Sequence, residues 1–476
     1  MSDPLDAARE GLGGEPAWIV GGAVRDRLLG RETTDLDIVL AGDAEAAARA
    51  VARVSRGTPF ALSDAFGAWR VVGRGHAWHV DLVRLRDDDL DADLAARDFT
   101  VNAMAEPLAG GELLDPHGGR ADLEARRLRM VSAAALAEDP LRTLRAARIA
   151  TELELSVEPQ TAAAVRERAP ELERVAAERV FQELKRIVAG DRPVEGLELM
   201  EELGLTGVVL PELGALRGVE QNVFHHRDVH GHTLEVLGSV AHLETGPPEL
   251  GEHAEAVREL LAEPLADELT RGGGMRFAAL LHDAAKPLTR GMRPDGRVTF
   301  VGHDAEGARL ARDVLRRLRA SARLADYVAA LTRHHLRLGF LVHERPLTRR
   351  SVFRYLTATA PRAVDVTVFT VADRLATRGR NADAAIAAHV ELACQLLGPA
   401  FERRAAGRPA PLVRGDELAR ALGIPAGPRL GELLAQLEED RYAGAIRTRE
   451  DAASLKASTT RRISATTCGI SGRSVL

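Results

Sequence analysis

Gly21-Gly22-Ala23-Val24-Arg25-Asp26-Arg27-Leu28-Leu29-Gly30, followed by Asp35-Leu36-Asp37, is the stretch that decides the fold. Residues 17–20 before it are apolar and read as a short strand. Gly21-Gly22 breaks that strand, residues 23–29 read as a short helix ended by Gly30, and residues 36–40 form a second strand. Asp35 and Asp37 lie two apart on that second strand, so their side chains share a face. Two Mg²⁺ ions roughly 3.5–4 Å apart need carboxylates placed in this way. Mg²⁺ takes hard oxygen ligands and keeps waters that a phosphate can displace. The Gly21-Gly22 turn offers bare backbone N–H groups at a helix N-terminus, a cradle for a triphosphate. Arg25 follows and can fork onto phosphate oxygens. Asp81, on a later strand, is the candidate third carboxylate. A lone Asp-x-Asp on a strand is usually a solvated edge; the glycine turn just upstream reverses that reading.

Working outward, residues 44–54 form an alanine-rich helix, and residues 69–72 and 79–85 form a hairpin around Gly73-Arg74-Gly75. From about residue 116 the spacing becomes helical, with apolar periodicity over 141–153, 171–188 and 194–203. Residues 245–251 and the triplet Gly272-Gly273-Gly274 read as loops, with helices between and beyond them to about residue 400. The expected fold class is α+β, a mixed α/β head followed by an all-helical body. Its expected parts are a head over 15–130, a helical neck over 131–215, a larger helical domain over 216–400 and a small helical module over 410–456. A linker spans 407–411, and the tail 457–476, rich in Ser, Thr and Gly, reads as disordered.

Composition narrows the class. Lys and Arg total 64 against 70 Asp and Glu, a net charge of −6, which argues against bulk coating of nucleic acid but leaves room for a local basic groove. The two cysteines, Cys394 and Cys468, exclude a disulfide framework and a cysteine-ligated zinc site. The N-terminus lacks an apolar signal core, and no apolar run reads as the roughly 20 residues of a membrane span, so a cytoplasmic protein without a membrane partner is expected.

The glycine turn and Asp35-Leu36-Asp37 together resemble the signature of the class II tRNA nucleotidyltransferase (CCA-adding enzyme) and bacterial poly(A) polymerase family. Four further stretches resemble that family's motifs, in its order: Arg97-Asp98-Phe99-Thr100-Val101-Asn102-Ala103-Met104 (ribose recognition), Leu114-Asp115-Pro116-His117-Gly118-Gly119-Arg120-Ala121-Asp122-Leu123 (hinge), Glu138-Asp139-Pro140-Leu141-Arg142 (nucleotide templating) and Glu178-Arg179-Val180-Phe181-Gln182-Glu183-Leu184 (its supporting helix). The resemblance runs from about residue 17 to 190. It implies a nucleotidyltransferase-type head with Asp35, Asp37 and Asp81 catalytic and Mg²⁺ on Asp35 and Asp37. It also implies nucleotide contacts from Gly21, Gly22, Arg25, Arg97, Asp98, Asn102, Asp139, Arg142, Arg145 and Arg148, with CTP, ATP and tRNA as partners. Asp139 before Pro140 reads as a helix cap, with Arg142 three residues on along the same face. An aspartate that accepts and an arginine that donates can read a base edge without a nucleic-acid template. Arg145 and Arg148 continue the row, toward tRNA phosphates or a solvated face.

The chain departs from the family pattern in three places. Ala96 stands where a first arginine is common, and Asp81 stands where glutamate is frequent. The segment 84–97 is short and acidic (Arg86-Asp87-Asp88-Asp89-Leu90-Asp91-Ala92-Asp93), whereas many complete CCA-adding members hold a longer flexible loop there that helps the switch from C to A. Addition of CCA, of CC alone or of A alone therefore stays open. The paired-arginine segment of bacterial poly(A) polymerases is not evident near Gly73-Arg74-Gly75-His76, which lowers that reading.

A second constellation lies downstream. His282-Asp283 follows an apolar stretch, with His225, His226, His230 and His232 upstream and His303, His334, His335 and Asp373 downstream. It resembles an HD-domain metal site, which implies His232, His282, Asp283 and Asp373 as ligands of a further divalent ion of open identity. His303 and either His334 or His335 are then candidates for a second metal, and phosphoester hydrolysis is the alternative main activity.

Overall fold

The computed structural model describes residues 3–63, 67–222, 224–407 and 409–451. The chain divides into two compact units, Met1–Pro211 and Glu212–Leu476. The expected disordered tail, 457–476, and Cys468 lie outside the described residues.

The first unit is built on one mixed sheet. Its strands are β1 (Ala17–Val20), β2 (Asp35–Leu40), β3 (Thr58–Ser63), β4 (Ala68–Val72), β5 (His79–Arg84) and β6 (Ala105–Pro107), in the order β3-β4-β5-β2-β1-β6. β2 and β5 run parallel with Asp35 opposite His79 and Asp37 opposite Asp81; the other neighbours are antiparallel. Strand β3 is absent from the reading of the sequence. It is an edge strand carrying Pro59 and exposed Phe60 and Leu62, so it lacks the alternation that marks a half-buried strand.

Helices α1 (Pro4–Leu12) and α3 (Ala44–Ser55) pack against each other; Asp3 and Asp43 cap them by accepting backbone N–H bonds. α2 (Gly22–Leu28) follows β1 directly, and α4 (Leu90–Ala95) occupies the segment between β5 and Arg97. Leu85 and Leu94 at the ends of that segment are buried in one cluster with Val20, Val39 and Ala105, and Leu90 packs on it. Each such leucine contributes roughly 1.5–3 kcal/mol by burial, so the segment is folded down rather than loose.

Beyond the sheet come α5 (Gly119–Glu124), α6 (Leu141–Leu153), α7 (Ala177–Ala189) and α8 (Pro193–Glu202). The continuous helix expected over 171–188 is two elements, a 3₁₀ segment Ala169–Arg174 and then α7. Val175 and Ala176 are extended between them, and the break turns α7 onto α6.

The second unit contains α9 (Val229–Leu243), α10 (Arg271–Leu281), α11 (His303–Arg317), α12 (Ala322–His334), α13 (Ala363–Leu375), α14 (Ala382–Ala406), α15 (Gly415–Leu422) and α16 (Pro428–Ala443). Gly272-Gly273-Gly274, expected as a loop, is the buried first turn of α10. The glycines are there for close packing: a Cβ on Gly274 would lie 2.5 Å from Leu265 Cδ2, and one on Gly272 2.8 Å from Glu244 Cδ. α14 is long and apolar enough to cross a membrane by length and composition, against the expectation of no such run. It packs on α13 and buries Leu392, Ala393, Leu396, Leu397 and Ala400. α15 and α16 form a small core of Val413, Leu418, Leu430 and Ile446.

Candidate active site and metal centre

A cleft of about 480 Å³ in the first unit is lined by Gly21, Gly22, Arg25, Asp35, Asp37, Arg97, Asp98, Asn102, Arg142, Arg145 and Arg148 among others. Gly21 ends β1 with φ +70° and ψ −139°, a conformation open to glycine alone. A Cβ there would lie 3.1 Å from both Asp37 Oδ2 and Arg97 Nη1, so the bare backbone lets a carboxylate and a guanidinium close over the turn.

Asp35 and Asp37 stand on the same face of β2, and both are exposed to the cleft. Protein surrounds the Asp37 carboxylate closely although water reaches it. Burial and the neighbouring Asp81 raise its pKa above the usual carboxylate range, with Arg97 opposing. A site that disfavours its own anion is stabilised by a cation. Asp35 accepts from His79 at 2.8 Å. Asp81 lines up beside Asp37, but Arg70 grips both of its oxygens at 2.6 Å and it does not line the cleft. Its role as third carboxylate thus needs Arg70 to yield.

A hydrogen-bonded chain crosses the floor. Arg25 Nη1 donates to Asn102 Oδ1 (2.6 Å), Asn102 Nδ2 donates to Asp98 Oδ1 (2.9 Å), and Arg145 approaches Asp98 Oδ2 (3.2 Å). Asp98 is buried; desolvation opposes its charge, but Arg145, Asn102 and the Phe99 N–H outweigh it and lower its pKa. Arg97 is held by Asp93 at 3.0 Å.

Asp139 and Arg142 are not paired with each other. Asp139 accepts from Leu141 N at 3.2 Å, as a cap does, and from Arg179 of α7 at 2.7 Å, and it lies outside the cleft lining. Arg142 donates to the Ala135 carbonyl, and its buried Nε finds no acceptor among the described residues. Arg148 is buried, not on a solvated face. Its guanidinium is neutralised by Glu183 (2.5 Å) and Glu152 (2.7 Å). Glu183 of the supporting helix thus sets both Arg145 and Arg148.

Sequence reasoning missed Arg86, Asp93 and Arg186 in the cleft. Arg186 is seven residues beyond Arg179 on one side of α7, which is the signal that was available. Burial and nearby Arg148 lower its pKa, and it pairs with Glu152 at 3.0 Å.

In the second unit, His232, His282 and Asp283 bring one nitrogen or oxygen each within 4.8 Å of one another, and so do Asp283, His303 and His335. Asp373 faces His232 Nε2 at 3.0 Å. His334 turns away and accepts from Arg337. A cavity of about 470 Å³ opens on this cluster. Lys286 Nζ, missed in the sequence, reaches Asp283 Oδ2 at 2.6 Å and Gln221 Oε1 at 2.5 Å. Desolvation opposes the charge on His282 and Asp283, but their mutual attraction outweighs it: the His282 pKa is raised and that of Asp283 falls well below its usual range. Buried Asp283 Oδ1 and His282 Nε2 find no hydrogen-bond partner of sound geometry among the described residues. Imidazole and carboxylate groups of this kind fit a divalent ion.

Three family models match the chain. They are the poly A polymerase head domain over residues 17–129, a probable RNA and SrmB-binding site of polymerase A over 154–216, and the HD domain over 249–378. An A-adding tRNA nucleotidyltransferase of Deinococcus radiodurans is 37% identical over 92% of this chain and 94% of its own. The chain belongs to the tRNA nucleotidyltransferase family. A CC-adding tRNA nucleotidyltransferase of Thermus thermophilus is 35% identical over 92% of each chain. The CCA-adding enzyme of Bacillus stearothermophilus solved with CTP shares the fold, with a TM-score of 0.63 at 24% identity over 98% of this chain and all of that one. This tRNA nucleotidyltransferase family member is thus an enzyme of the nucleotidyltransferase class with an HD domain, and both families use divalent metal.

Proposed function

We propose that this enzyme adds all or part of CCA to the 3′ end of tRNA in the cytoplasm, taking CTP and ATP without a nucleic-acid template. The observation that carries this is the cleft where the Gly21 turn, Asp35 and Asp37 meet the Arg25–Asn102–Asp98 chain. Asp35 and Asp37 are the ligands for Mg²⁺, and Gly21 is the cradle that a Cβ would fill. When bound, the divalent ions activate the tRNA 3′ hydroxyl and stabilise charge on the leaving pyrophosphate. The Gly21-Gly22 N–H groups and Arg25 bind the triphosphate. Asn102, fixed between Arg25 and Asp98, faces the ribose hydroxyls. Arg142 offers the donor edge to the base and Asp139, tethered by Arg179, the acceptor edge. Arg145, Arg148 and Arg186 hold the phosphates of nucleotide and acceptor arm. In the HD domain, His232, His282, Asp283 and Asp373 hold one divalent ion for phosphoester hydrolysis.

The folded segment 84–97 favours arrest after CC. Leu85 and Leu94 are anchored in the core with Leu90 packed on it, Asp89 caps α4 and Asp88 pairs with Arg84, which ties the segment down against a switch to A. The test is extension of tRNA transcripts ending before CCA or after CC, with labelled CTP or ATP, sized at single nucleotides. Two C residues followed by arrest is the expected product. Three residues, or A only on the CC-ended transcript, overturns the arrest; no incorporation overturns the transferase reading. Asp35→Ala abolishes incorporation while tRNA binding persists.

A further inference from the structure

We infer that Arg70 is a positioning residue that sets the transferase metal site at two carboxylates, by holding Asp81 away from the ion. This rests on the reading of Asp35 and Asp37 as the Mg²⁺ ligands.

Strand register makes a row of three charges. Asp37 stands directly opposite Asp81 on the parallel strand β5, and Asp81 stands directly opposite Arg70 on the antiparallel strand β4. Directly opposed residues share a face of the sheet, so the row runs across β4, β5 and β2. Neighbouring strands lie roughly 4.8 Å apart, near enough for a free Asp81 carboxylate to join an ion held on Asp37. Asp81 is not free. Arg70 Nε donates to its Oδ1 and Arg70 Nη2 to its Oδ2, both at 2.6 Å. A two-pronged guanidinium–carboxylate pair is among the strong charge-assisted contacts. The other two carboxylates differ. Asp35 engages one oxygen, Oδ1, with His79 and Thr34. Asp37 accepts no hydrogen bond from the described residues. Both line the cleft, and neither Asp81 nor Arg70 does. Arg70 feels the whole cluster: its hydrogen bond to Asp81 first, against burial, and then the charges of Asp81, Asp35 and Asp37 raise its pKa.

The number of carboxylates decides which ion a hard-oxygen site prefers. Mg²⁺ is held by one or two of them and completes its shell with water and substrate phosphate, whereas Ca²⁺ takes about six to eight oxygens in a looser geometry. A third carboxylate therefore tilts the site toward Ca²⁺ and away from an ion shared with the triphosphate. Arg70 withdraws the ligand and its charge together. The pair is only part-buried, with Arg70 28% and Asp81 15% exposed, so Arg70 is replaceable without opening the core.

The test is Mn²⁺ binding to the full chain, with free Mn²⁺ counted by paramagnetic resonance. Each titration is compared with the same protein carrying Asp35→Ala, so that the binding lost belongs to the transferase cleft and not to the histidine cavity. Arg70→Gln should bind Mn²⁺ there roughly tenfold more tightly than wild type, because it frees a negative charge a few ångströms from the ion. Arg70→Lys, which keeps the charge without the fork, should fall between the two. Arg70→Gln combined with Asp81→Asn, a neutral pair of similar shape, should return to the wild-type affinity. Ca²⁺ should displace Mn²⁺ from Arg70→Gln more readily than from wild type, a preference that a merely structural role for Arg70 does not move. Unchanged or weaker Mn²⁺ binding by Arg70→Gln, or equal displacement by Ca²⁺, overturns the proposal. So does a double variant that binds more weakly than wild type, because Asp81 is then a ligand in the native chain. If Arg70→Gln does not fold, the double variant decides alone. An Asp35→Ala chain that loses no Mn²⁺ overturns the underlying metal reading, and the proposal with it.

Discussion

Gly21 shows how much one missing methyl group arranges. Its backbone conformation excludes other residues, and its absent side chain is the space into which Asp37 and Arg97 close. Gly21→Ala is expected to cost about 1–3 kcal/mol in backbone strain and to lower incorporation by roughly tenfold or more, since small misplacements in a reacting site are costly. Melting curves and single-turnover extension measure the two effects separately; activity equal to wild type would refute this account of the turn. Asp122 makes the opposite case, a charge far from the chemistry. Fully buried, it accepts from Thr100 at 2.6 Å and pairs with Arg127 and Arg129, tying the hinge motif to the ribose motif. The arginines are half-exposed, so Asp122→Asn should cost about 3 kcal/mol, the lower end for a broken buried pair. Urea unfolding should shift accordingly while nucleotide discrimination stays unchanged. The glycine turn made Gly21 legible in the sequence, and Asp122 entered through the resemblance to the family's hinge motif. What was not legible is who holds whom: that Arg70 grips Asp81, or that Glu183 serves two arginines, depends on strand register and helix packing.

Elements were legible where periodicity was strong and failed where packing overrides composition. β1, β2, α6 and the β4–β5 hairpin follow from apolar spacing and turn residues. The glycine triplet at the start of α10 does not, because three glycines in sequence read as a loop until a neighbour demands the space. Two glycine substitutions test this with opposite signs. Gly274→Ala gains about 1 kcal/mol of helix propensity. It also drives a Cβ to 2.5 Å from Leu265 and 3.1 Å from Tyr327, so the net effect should be a loss of about 1–3 kcal/mol. Gly431 in α16 has open space around the same position, and Gly431→Ala should stabilise by about 0.5–1 kcal/mol. Paired chemical denaturation of the two variants decides; a shared sign would refute the packing account.

At the scale of the whole molecule, each unit supplies every residue of its own candidate site. The cleft draws on residues 21–186 and the metal cavity on residues 221–389. The second unit is rich in buried neutral histidine, and this sets how stability responds to acid. His389 is buried and held down to about 4, by desolvation first, from an unfolded value of 6.5; His335 behaves alike. Because the folded pKa is the lower one, the unfolded chain takes up protons first as pH falls. Stability is therefore full above about 6.5, declines between 6.5 and 4, and levels off below, by up to about 3 kcal/mol for His389. Unfolding of the metal-free chain from pH 7.5 to 5 should show that decline, and His389→Gln should flatten its share of it. His335 adds a distinguishing feature: divalent metal resists its protonation, so the loaded chain should hold its stability further into acid than the stripped one. A loaded chain that loses stability over the same pH range as the stripped chain would mean that metal does not reach His335.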